Sequence, residues 1–95
     1  MDRILVIALH VSIFGSVQGV GFRRWMNESA LKLSLTGWVR NASDGSVEAF
    51  IQGPQDNVND MLSSLWEGPN LADVEDVLTQ DSQVDESLEL SLIHI

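Results

Sequence analysis

Between Ile4 and Phe14, apolar residues take alternate positions: Leu5, Ile7, Leu9, Val11 and Ile13 on one side, with Val6, Ala8, His10 and Ser12 on the other. Period two sends successive side chains to opposite faces of an extended chain, so this run predicts a strand whose odd face is the more apolar. From Phe22 the period changes. Phe22, Trp25, Met26, Ser29, Ala30 and Leu33 recur at helical spacing, which predicts a helix ending near Ser34. Thr36 to Ala42 reads as a second strand, and Ser43-Asp44-Gly45 as a hairpin turn. A third strand follows, with Val47, Ala49 and Ile51 on one face and Glu48 and Gln52 on the other. Gly53-Pro54 opens a second helix, with proline in its favoured first turn and Asp56 complementing the dipole. Val58, Met61, Leu62 and Leu65 are its buried stripe, and Gly68-Pro69 ends it. Ala72 to Thr79 reads as a strand interrupted by acids, Gln80 to Ser87 as a polar loop. Leu88, Leu90 and Leu92 alternate with Glu89 and Ser91 as a last, short strand.

This order predicts an α+β fold: the split βαβ, or ferredoxin-like, two-layer sandwich (βαββαβ), a mostly antiparallel sheet with two helices on one face. Right-handed crossovers make the first and second strands parallel, with the third inserted antiparallel between them. The segment after Phe14 and the end of the second strand, Val39-Arg40-Asn41, are therefore expected at one edge of the sheet.

Composition narrows the class. A chain of 95 residues is expected to form a single domain over 1–95 with one core, and a 44% hydrophobic fraction suits a folded globular chain. No cysteine is present, which removes disulfides and thiolate chemistry and fits a reducing compartment. Asp2 and the short apolar run do not make a signal peptide, and nothing approaches a membrane span, so a cytoplasmic location is expected. The net charge is −9, yet every basic residue (Arg3, Arg23, Arg24, Lys32, Arg40) precedes position 41. An acidic body repels nucleic acid, while clustered arginines make one local positive patch. That combination favours a small anionic ligand.

The candidate for such a ligand is Gly15-Ser16-Val17-Gln18-Gly19-Val20-Gly21-Phe22-Arg23. Glycine reaches positive φ without strain, so Gly15, Gly19 and Gly21 let successive N–H groups turn inward at a helix start, where the dipole favours an anion. Arg23 adds a planar cationic fork suited to phosphate oxygens. A nucleotide P-loop needs a Gly-Lys-Ser/Thr that is missing, and a dinucleotide fingerprint needs glycine where Arg24 stands. On the loop alone, a plain strand-to-helix turn is an equally good account. Asn41 by itself reads as an entry to the Asp44-Gly45 turn, and only its expected nearness to the loop favours a site.

Two separated stretches resemble the acylphosphatase family. Gly15 to Arg23 is similar to its phosphate-binding loop, and Gly37-Trp38-Val39-Arg40-Asn41, continued by Asp44-Gly45-Ser46-Val47-Glu48, to its second signature. Gly53, Val58, Met61, Gly68-Pro69, Ala72, Val74 and Val77 also fit its pattern, so the likeness covers roughly Phe14 to Val77. The ending Leu-Ile-His-Ile departs from the Gly-Phe the family often carries near its C-terminus.

The resemblance implies hydrolysis of carboxylate–phosphate anhydrides, with Arg23 binding phosphate and Asn41 positioning water. It implies no cofactor and no metal. The expected partners are an acyl phosphate substrate and inorganic phosphate as product and competitive inhibitor, without nucleic acid or membrane, for a monomeric chain. Arg24 and Arg40 are expected to be solvated charges, Trp25, Trp38 and Trp66 to be packing residues, and a His10–His94 metal site is disfavoured. The alternative is a non-catalytic or carbamoyl-phosphate-handling domain of the kind that begins hydrogenase maturation proteins. Those continue into zinc-finger cysteines, which this sequence lacks, so the free-standing enzyme is expected.

Overall fold

The computed structural model describes residues 5–87 and 93–94. Seven elements follow one another: β1 (Val6–Ser16), α1 (Phe22–Lys32), β2 (Thr36–Asn41), β3 (Val47–Pro54), α2 (Gln55–Leu65), β4 (Asp73–Ser82) and β5 (Ile93–His94). The sheet order is β4-β1-β3-β2-β5. β1 pairs antiparallel with β3 and β4, and β2 pairs antiparallel with β3 and parallel with β5. This is the ferredoxin-like arrangement, with a two-residue strand added beside β2.

The core lies where the alternation puts it. Val11 and Ile13 of β1, Val39 of β2 and Val47, Ala49 and Ile51 of β3 are fully buried in one cluster with the helices. Helix α1 contributes Phe22, Met26 and Ala30, four residues apart along one stripe, and α2 contributes Val58, Met61 and Leu65. Each such Val, Ile, Leu, Met or Phe side chain withdrawn from water contributes about 1.5–3 kcal/mol, an alanine methyl less. Both helices thereby seal the same sheet face.

The opposite face carries an aromatic and ionic group. Trp38 stacks on Phe50 with centroids 6.4 Å apart, His10 meets Trp38 edge-on at 5.9 Å, and the Arg40 guanidinium lies 4.8 Å from the Trp38 ring. Glu48 takes both His10 Nε2, at 3.2 Å, and the Arg40 guanidinium on one carboxylate oxygen. Of the tryptophans, Trp25 packs edge-on against Phe22 and Trp38 is half-buried, whereas Trp66 is 52% exposed just beyond α2.

Several element boundaries differ from the pattern-based expectation; β2 ends at Asn41 instead of Ala42, and β4 begins at Asp73 instead of Ala72. β1 runs to Ser16 instead of Phe14, because a register shift at Phe14/Gly15 lets the chain keep pairing with β4 through a bulge. β4 runs to Ser82, across residues expected to form a loop, because Gln80, Asp81 and Ser82 pair with His10, Leu9 and Ala8. Backbone hydrogen bonds make that ladder, and an edge strand tolerates polar, acidic side chains. Helix α1 stops at Lys32, two residues short of Ser34. The expected strand over Leu88–Leu92 and the start of the first strand at Ile4 lie outside the described residues.

Candidate functional site

Since β3 lies between β1 and β2 and is antiparallel to both, β1 and β2 point the same way. Their C-terminal ends, Ser16 and Asn41, therefore open on one edge of the sheet. A cavity of about 190 Å³ lies there, lined by Val17, Gly19, Gly21, Phe22, Arg23, Arg24 and Asn41. Residues of the glycine loop and an asparagine 18 positions beyond Arg23 thus share one wall. The space is that of a small ligand. It falls short of the roughly 300 Å³ at which sites for drug-sized ligands begin.

The loop is built from its ends. Gly15 and Ser16 finish β1, and Val17, 1% exposed, anchors the base of the loop in the core. Val20 packs against the core rim, and Phe22 begins α1 fully inside it. Between these anchors Gly19 and Gly21 have φ of 74° and 80°, with open space where a Cβ would point. Backbone conformation, not crowding, is what calls for glycine there. Gly21 is the N-cap of α1, no side chain caps the helix, and its first turn carries no acidic residue. Trp25 N–H bonds the Gly21 carbonyl at 3.0 Å, which leaves the N–H groups of Phe22, Arg23 and Arg24 without intrahelical partners. Those donors, and the positive end of the dipole, border the cavity.

Three arginines are described. Arg24 pairs with Glu28 at 3.3 Å, one turn along an exposed helix face, and Arg40 pairs with Glu48. Arg23, half-buried in the cavity wall, makes no ion pair among the described residues. An unneutralised guanidinium beside unpaired N–H donors offers charge and hydrogen bonds that suit an anion. Among the described residues no group of three His, Cys, Asp or Glu side chains converges as a metal site, and His10 is engaged with Glu48.

Asn41 ends β2 opposite Val47, and a turn over residues 42–46 joins β2 to β3. Ala42 N–H donates to the Ser46 carbonyl at 2.8 Å and Gly45 N–H to the Ala42 carbonyl at 3.2 Å. One oxygen of Asp44 accepts from the Ser46 backbone N–H, at 2.9 Å, and from the Ser46 hydroxyl, at 2.6 Å. The Ser46 hydroxyl first, and then its N–H, hold the Asp44 carboxyl below the usual carboxylate range. Gln18 reaches across from the loop, its Nε2 donating to the carbonyls of Ala42, at 2.8 Å, and Ser46, at 2.9 Å. The sequence marks Gln18 only as a loop member, because the partners of this bridge are main-chain carbonyls, which every residue carries.

Comparisons with known proteins bear on the family and the fold. The family model described as Acylphosphatase matches residues 9–89. The chain is 47% identical over 77 residues to an acylphosphatase of Alcanivorax borkumensis, covering 81% of this chain and 84% of that one. It is 54% identical over 70 residues to an acylphosphatase of Sinorhizobium medicae, covering 74% of each. In structure it is similar to an acylphosphatase from Bacillus subtilis, with a TM-score of 0.87 at 30% identity, over 96% of this chain and 98% of the other.

Proposed function

The chain belongs to the acylphosphatase family and hydrolyses acyl phosphates; from that premise we propose that Arg23 and the loop over Gly15–Phe22 hold the phosphoryl group and that Asn41 orients the attacking water. A single observation carries this: the one cavity wall that bears an unneutralised arginine and unpaired helix N–H groups also bears a neutral amide, Asn41.

The phosphoryl oxygens lie against the loop and first-turn N–H groups and the Arg23 fork, which offset their charge as it redistributes in the transition state. An amide both donates and accepts, so Asn41 directs a water lone pair at phosphorus while accepting one of its hydrogens. The water oxygen bonds to phosphorus, and the phosphorus–oxygen bond to the acyl group breaks with its electron pair leaving on the carboxylate. The water's proton passes to a phosphoryl oxygen. A carboxylate is already a good leaving group, so positioning and charge account for most of the rate. About 190 Å³ admits a phosphoryl group and its water, which leaves the acyl part to project outward.

Asn41→Ala tests the assignment. Turnover of a simple acyl phosphate falls on the order of 10²–10³-fold, the loss typical of one preorganised polar group, while inhibition by inorganic phosphate is retained. In labelled water the heavy oxygen enters phosphate and not the carboxylate, and rapid quenching traps no phosphoprotein. Parallel collapse of phosphate affinity and turnover, or label in the carboxylate, removes Asn41 from this role.

A further inference from the structure

Gln18 holds the two halves of the site together. Its side-chain nitrogen lies between two backbone carbonyls, Ala42 at 2.8 Å and Ser46 at 2.9 Å, which are 24 and 28 residues away in sequence. Two carbonyl acceptors fix which end of the amide faces them: only the NH₂ group satisfies both. Both of its hydrogens are thereby engaged, and none remains for a phosphoryl oxygen. Gln18 sits in the anion loop, yet its side chain serves the other side of the cavity.

The two carbonyls it takes flank the catalytic candidate. Ala42 follows Asn41, and Ser46 precedes Val47, the cross-strand partner of Asn41. Each carbonyl is also part of the turn's own network, through Gly45 N–H to Ala42 and Ala42 N–H to Ser46. Beneath the bridge Val17 and Val47 are fully buried, so the base of the loop and the root of the hairpin are held by packing. Asn41 itself is exposed and stands above that packing. Its backbone is paired with Val47 at the last rung of β2, and among the described side-chain hydrogen bonds those of Gln18 tie this hairpin end to the loop.

We infer that Gln18 is a positioning residue: through its two hydrogen bonds to Ala42 and Ser46 it sets the placement of Asn41, and so of the attacking water, relative to the phosphoryl group. This rests on the role of Asn41 given above. A displacement of about 1 Å at a reacting centre can lower a rate by roughly 10²-fold, so the bridge acts on turnover more than on affinity.

Gln18→Met keeps the length and volume of the side chain and removes both donors. The expected result is a fall in kcat of roughly 10- to 100-fold, with the inhibition constant of inorganic phosphate changed less than about threefold. The decisive measurement is a double-substitution cycle with Asn41→Ala. If Gln18 acts through Asn41, Gln18→Met lowers kcat by less than about twofold once Asn41 is already alanine. Losses that multiply, or a fall in phosphate affinity in Gln18→Met alone, overturn the inference. Gln18→Glu carries the same test should the methionine variant unfold: it keeps the shape and sets a carboxylate against two carbonyls. Its kcat is lowered at neutral pH and partly recovers toward acid, as the protonated carboxyl regains one donor; a flat profile overturns the inference. The failure of the underlying reading looks different, because a fully active Asn41→Ala removes the role of Asn41 whatever Gln18 does.

Discussion

Replacing Arg23 with alanine separates function from stability in one substitution. The guanidinium is half-buried in the cavity wall and makes no ion pair among the described residues, so its loss strands no carboxylate. It also lies in the first turn of α1, where the positive end of the dipole disfavours a cation by about 0.3–1 kcal/mol. Folding stability should therefore stay level or rise, by up to about 8 °C in Tm at roughly 4–8 °C per kcal/mol. Binding moves the other way. Two unit charges 4 Å apart interact by about 4 kcal/mol at an effective dielectric of about 20. Two charge-assisted hydrogen bonds at the low end of their range, about 1.5 kcal/mol each, come to about 3 kcal/mol in a wall that water still reaches. Phosphate affinity should fall roughly 10²- to 10³-fold, at about 1.4 kcal/mol per tenfold. Turnover, which depends on the same contact, should fall at least as far. Steady-state hydrolysis of a simple acyl phosphate with inorganic phosphate as inhibitor, beside a thermal melt, reads all three quantities. Phosphate inhibition weakened less than tenfold in a folded variant places the anion elsewhere, and a Tm lowered by 10 °C or more means Arg23 is structural.

Two further outcomes follow from the sheet. A Cβ on Gly37, at φ +147°, would stand 1.8 Å from the Phe50 carbonyl oxygen, which belongs to the central strand and cannot rotate away. Gly37→Ala should cost at least about 2 kcal/mol from overpacking and backbone strain, seen as a Tm lowered by at least about 8 °C; an unchanged melt would refute the contact. Glu48, held below the usual carboxylate range by Arg40 first and His10 second, adds stability only while ionised. Its folded value is depressed, so that contribution is complete above the ordinary glutamate value of about 4.3 and is lost as pH falls through the folded value. The Tm advantage of the native chain over Glu48→Gln, a few degrees for a pair with one exposed partner, should shrink as pH falls below the ordinary glutamate value; an advantage independent of pH would show that the ion pair contributes nothing.

Local spacing determined much of this protein without any structure. The alternation over Leu5–Ile13, the helical stripe of Phe22, Met26 and Ala30, and the Asp44-Gly45 turn each draw on interactions within a few residues, so one sequence suffices to read them. Handedness of crossovers then brought the glycine loop and Asn41 to one sheet edge, since chirality leaves few ways to close a split βαβ unit. Three things required the folded chain. The extension of β4 over the acidic Gln80–Ser82 depends on backbone pairing with β1, to which side-chain polarity is blind. The pairing of Arg40 with Glu48 and of Arg24 with Glu28, beside an Arg23 that makes no ion pair among the described residues, depends on which carboxylates come within reach. The bridge from Gln18 to Ala42 and Ser46 joins main-chain carbonyls more than 20 residues distant, and a carbonyl is common to every residue, so nothing in its sequence marks it as a partner. Residue type announced which chemistry was available; the distances between chain segments decided which side chains share the cavity wall.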